Sequence, residues 1–345
     1  MTCCPSPTQD PANLEMRHIC ISLSPILVFC FSESILAALA HNSVPILFEL
    51  PNNMNFLEAG EAAARLHMLS MLFLVLLGAV AVLVKLGIDI GTYVRGPARY
   101  TLYLAFGLVV IAGAAFLAIS TSHEVMEPRG RLGKEIFDQL FQLVGNIKKP
   151  GYWSEDAYNT LVKVSHIAIL LTIAALISGS ISCLSKLPGM DDKQNLVLQS
   201  KRLRVYIIIS AVFLIISVLY FKSWANYPAF LLASEPAALN FSQYVALARA
   251  YTSFTGIEYS LVLAAYALPI SYIQSRRAND IALNVINQSE HLETQPSTWI
   301  SAAQVDIVKR EEGLETKPLD IFKIIVALIG PLIAGALPNL AAVVT

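Results

Sequence analysis

Five apolar runs, each of roughly 17 to 30 residues and so long enough to cross a bilayer, alternate with short stretches that hold most of the Lys, Arg, Asp and Glu. A helix at the surface of a water-soluble domain needs a polar face, and these runs have none. Only 14% of the residues are charged and 55% are hydrophobic, against about 25% charged in a soluble domain. The fold class that follows is all-α, a polytopic membrane bundle of six or seven transmembrane helices with the lipid bilayer as its first partner.

The five runs are Leu66 to Leu86, Tyr100 to Ser120, Leu161 to Leu184, Val205 to Phe221 and Tyr244 to Ile273, and residues 66–273 form the core bundle. Two further stretches complete the count. Ile19 to Leu39 contains Pro25 and Glu33, and Ile321 to Val344 is interrupted by Gly330, Pro331, Gly335 and Pro338. Proline and glycine are tolerated inside a membrane helix when neighbouring helices satisfy the freed backbone groups. The hydrophobic segment 319–345 is therefore expected to span.

Basic residues orient the chain. Lys85, Arg95 and Arg99 follow the first run, Lys186 to Arg204 crowd the loop after the third, and Arg276 and Arg277 follow the fifth. Short loops rich in Lys and Arg stay in the cytoplasm, which puts 274–318 inside and the long 121–160 loop outside, in a membrane read as the bacterial plasma membrane. The N-terminal segment 1–65 must then reach the outer side. Ile19 to Leu39 does this as an extra outward helix, or as a signal sequence cleaved at Ala38-Leu39-Ala40, or is bypassed if translation starts at Met54.

Two amphipathic stretches lie outside the runs. Leu132 to Ile147 places Leu132, Ile136, Leu140, Phe141, Val144 and Ile147 on one side at helical spacing, as an interfacial helix on the outer surface would, and Tyr152, Trp153 and Tyr158 follow as an aromatic belt. On the inner side, Trp299 to Glu312 reads as a short helix ended by Gly313.

Glu258 lies in the middle of the fifth run, where an ionised carboxylate costs about 2.5 to 3.5 kcal/mol. At 100° per residue Tyr251, Thr255, Glu258, Val262 and Tyr266 share one helical face, a semi-polar stripe suited to a buried proton or cation site. A glutamate hydrogen-bonded to a neighbouring helix is the structural alternative. His67, His123 and His166 fall near the outer ends of helices, and histidines that converge across a bundle can hold haem or a metal. No paired-histidine or Glu-x-x-His spacing accompanies them, and no other cofactor is expected.

The five cysteines, Cys3, Cys4, Cys20, Cys30 and Cys183, form no CxxC pair. No phosphate loop, nucleophile elbow or Asp-rich metal motif occurs, which turns the reading away from an enzyme. A net charge of -1 with no basic stripe excludes nucleic acid as a partner. Three functions fit: an ion or small-solute pathway centred on Glu258; a non-catalytic protein that assembles as a homo-oligomer or with a membrane partner through Leu132 to Ile147 or Ser275 to Pro318; and a haem or metal enzyme using the three histidines.

Overall fold

A computed structural model describes residues 16–39, 54–122, 137, 141–142, 155–187, 189–229, 238–290, 302–314 and 324–336, and every long element among them is an α-helix. The helices are α1 (Cys20–Leu39), α2 (Met54–Tyr93), α3 (Pro97–Ser122), α4 (Glu155–Ser182), α5 (Asp192–Ala225), α6 (Ala238–Glu290), α7 (Ala302–Glu311) and α8 (Ile324–Ala336). Helices α2 to α6 are each long and apolar enough to cross a membrane, so the chain is a multi-pass integral membrane protein.

Three of these spans, α2, α5 and α6, extend well beyond the apolar runs. At 1.5 Å per residue the 40 residues of α2 measure about 60 Å, twice the hydrocarbon thickness, so its ends carry charge beyond the apolar middle. Helix α6 runs 17 residues past Ile273, so the polar segment that follows the fifth run starts as a continuation of that helix. The reason is visible in the spacing: Ala278, Ala282 and Ile286 recur every four residues and are buried. Helix α7 packs against α6 and ends before Gly313, whose φ of 69° is natural only to glycine.

Helix α2 packs on α4 and α5, α3 on α4, and α6 on α5 and α1. Helix α5 is the most buried of the five spans and α3 the least. Leu27, Phe31, Phe73, Leu77, Ile111 and Leu268 remain exposed, as side chains facing hydrocarbon should be.

Helix α8, only 13 residues long, lies against α6 through glycine. A Cβ on Gly256 would come within 2.5 Å of Pro331 O, and one on Gly335 within 2.8 Å of Thr252 O. Small residues let two membrane helices approach closely and exchange polar contacts. Ser253 Oγ donates to Gly335 O at 3.0 Å, and the Leu332 N–H donates to Ser260 Oγ at 3.0 Å. The 13 described residues of α8 cover about 20 Å of the segment expected to span. The residues after Ala336 lie outside the described ones.

The bundle has an aromatic end and a basic end. At the aromatic end Tyr158 stacks on Tyr227 with ring centroids 5.6 Å apart, Phe137 lies at 5.6 Å from Trp224, and Tyr244 donates to Ala225 O at 2.6 Å. Tyr158 is thus fully buried in the bundle and not part of an interfacial belt, because α4 begins at Glu155 and turns this residue toward Tyr227. Tyr152 and Trp153 lie outside the described residues. Of the Leu132 to Ile147 stretch only 137 and 141–142 are described; Phe137 and Phe141 are buried against Tyr158, so this segment touches the bundle itself.

Candidate functional site

Glu258 is 14 residues from Tyr244 at the aromatic end and 16 from Gln274 at the basic end, about 21 and 24 Å at helical rise. Its side chain is buried, 4% exposed, and Oε1 accepts a hydrogen bond from Ser32 Oγ of α1 at 2.5 Å. A second link, Ser24 Oγ to Ala265 O at 2.6 Å, joins the same two helices. Residue numbers rise along α1 as they fall along α6, so the helices are antiparallel. A serine hydroxyl suits either state of the acid, since it can donate to the carboxylate or accept from the carboxylic acid.

The rest of the stripe divides. Thr255 is buried but returns its hydroxyl to Tyr251 O on its own helix at 3.1 Å. Tyr266 is buried and Tyr251 half-buried. Glu258 is met by α1, an element outside the stripe.

The histidines are placed differently. His67 is exposed on α2. His166 has Nδ1 2.7 Å from Val162 O and its ring edge-on to Phe221 at 5.6 Å, while His123 lies outside the described residues. Among the described residues no group of three or more His, Cys, Asp or Glu side chains could hold a metal.

A second polar centre, at the basic end, was not anticipated. Asp89 of α2 is 2% exposed and accepts from Lys85 Nζ at 2.7 Å on both oxygens, and Arg202 Nη2 of α5 stands 3.8 Å away. Each helix also offers the other an aromatic ring: Arg202 lies 4.1 Å from the Tyr93 centroid, and Lys85 Nζ 5.3 Å from that of Tyr206. Lys85 is thus partnered by the buried carboxylate one turn on along its own helix. A lysine four residues before an aspartate, in Lys-Leu-Gly-Ile-Asp, was the sequence signal for it.

Around this centre the end of α4 is closed by side chains from two other helices. Gln274 Nε2 donates to Cys183 O at 3.4 Å, Arg277 Nη1 to Leu184 O at 3.1 Å, and Gln199 Nε2 to Ser185 O at 2.8 Å. These carbonyls belong to the turn just past α4, where the helical hydrogen-bond ladder has ended, and cations and amides suit a helix C-terminus. Arg277 is thus tied to the chain that follows α4.

A third buried acid, Glu61 of α2, lies at the aromatic end, 1% exposed. It accepts from the Tyr227 hydroxyl at 2.9 Å and pairs with Arg65 at 3.5 Å. Burial pushes the Tyr227 phenol well above its ordinary range, and the neighbouring carboxylate adds to the shift. The chain matches no protein-family model, no curated protein and no solved structure.

Proposed function

We propose that this protein provides a path for protons or a small cation across the membrane, with Glu258 as the exchangeable group. The observation that carries this reading is a carboxyl group held about midway along a membrane bundle by a hydroxyl from another helix. Such groups are costly in hydrocarbon and mark ion and proton pathways. Support also comes from two further buried acids among the described residues: in the orientation read from the basic loops, Glu61 stands at the outer end and Asp89 at the cytoplasmic one. In this orientation α1 runs outward, as an added helix of the bundle in a plasma membrane.

The test is proton and cation flux into liposomes that contain the purified protein, native chain against Glu258→Gln. The native chain is expected to conduct, and Glu258→Gln to lose that flux at least about 10-fold while staying folded, since an amide cannot exchange the proton. Equal flux in both, or none in either, would return the Glu258–Ser32 pair to helix packing alone.

A further inference from the structure

Proline has no N–H, so inside a helix it leaves the carbonyl four residues earlier without its usual donor. Helix α1 contains Pro25 and helix α6 contains Pro269, which frees Ile21 O and Ala265 O respectively. One hydroxyl reaches both. Ser24 Oγ is 2.6 Å from Ala265 O and 2.9 Å from Ile21 O, so two proline gaps on two helices meet at a single serine. A hydroxyl has one proton to give, and the shorter contact is the one that crosses between helices.

This seam is the same one that holds the buried acid. Ser32 follows Ser24 by eight residues, about 12 Å along α1, and donates to Glu258 on the face where Ser24 donates to Ala265. Proline sites are where membrane helices bend. Without Ser24, both freed carbonyls stand unsatisfied at a level where both helices can bend, and the register that brings Ser32 to Glu258 loses its lower anchor. We infer that Ser24 is a positioning residue for Glu258, bridging two proline-freed carbonyls so that the Ser32 hydroxyl meets the carboxyl group.

The consequence for flux rests on the proposed role of Glu258, but the geometry can be read without it. Isotope-edited infrared spectroscopy, with the Glu258 carboxyl band isolated by subtracting Glu258→Gln, reports the hydrogen bond to that group. In Ser24→Ala the band is expected to move to where Ser32→Ala puts it, and flux to fall on the order of 10-fold, the equivalent of one buried hydrogen bond. Ser24→Thr, which keeps the hydroxyl, should change neither; Pro269→Ala added to Ser24→Ala gives Ala265 O an N–H within its own helix but no link to α1, so the band should stay displaced. An unmoved band in Ser24→Ala, or a displaced one in Ser24→Thr, would overturn the inference. Should Ser24→Ala fail to fold, the double variant still decides: a displaced band sustains the inference and one in its native position ends it. A band that behaves as expected in a protein without flux would sink the pathway and leave the positioning role standing.

Discussion

Glu258 and Asp89 are both almost wholly buried, yet Asp89 sits between an ammonium and a guanidinium, while Glu258 is met by a serine hydroxyl across the α1–α6 seam. Depth accounts for the difference. At the basic end a lysine can neutralise an acid and still keep a third of its side chain in contact with solvent or headgroups, so the pair is cheap to assemble. At mid-membrane a cation costs as much as the acid it would serve, and a hydroxyl carries no such penalty. An ammonium or guanidinium can only donate to its acid, whereas a hydroxyl can donate or accept.

That contrast can be broken in a graded way. Asp89→Asn should have the largest effect on stability, about 3 kcal/mol, because it leaves the buried Arg202 guanidinium without its counter-charge; unfolding in detergent would measure it. Next comes Gly179→Ala. A Cβ there would lie 2.1 Å from the Tyr206 ring, which forms part of the same centre, so about 2 kcal/mol should be lost and much of it regained with Tyr206→Leu.

Tyr227→Phe at the aromatic end removes one buried hydrogen bond, worth about 1 kcal/mol at neutral pH. The sign of its pH dependence follows from the raised phenol. The unfolded chain ionises this group as pH rises through its ordinary 10.0, while the folded chain keeps the proton, so native stability falls in that range. The gap between native chain and variant should therefore narrow above pH 10 in unfolding measured across that range.

Glu258→Gln should cost under about 1 kcal/mol, because the amide oxygen still accepts from Ser32. Small loss of stability with large loss of flux would separate the middle acid from the end one. Smallest of all should be Lys186→Ala: it breaks a 2.6 Å ion pair with the exposed Asp192 and should move stability by a few tenths of a kcal/mol.

Much of this was legible in the chain. The five spans, the short helix before Gly313 and the burial of Glu258 follow from apolar run length, helical period and the cost of charge in hydrocarbon, all of which are local. The polar contacts were legible only where both partners share a helix. Lys85 with Asp89 and Arg65 with Glu61 are four residues apart, and that spacing could have revealed them. Tyr158 was misplaced because its neighbours Tyr227 and Phe137 are distant in sequence, and an aromatic near a span end reads equally well as an interface anchor.

Sequence by itself therefore determined the solvent, the number of long spans, the basic end and the presence of a buried acid, since each depends on side-chain transfer energies summed along one helix. Which groups meet that acid was decided by tertiary structure alone. Ser32 is 226 residues from Glu258, and Ser24 is 241 from the carbonyl that Pro269 frees. Only the antiparallel packing of α1 on α6, with its register and rotation, brings those hydroxyls to the Glu258 carboxyl group and to Ala265 O.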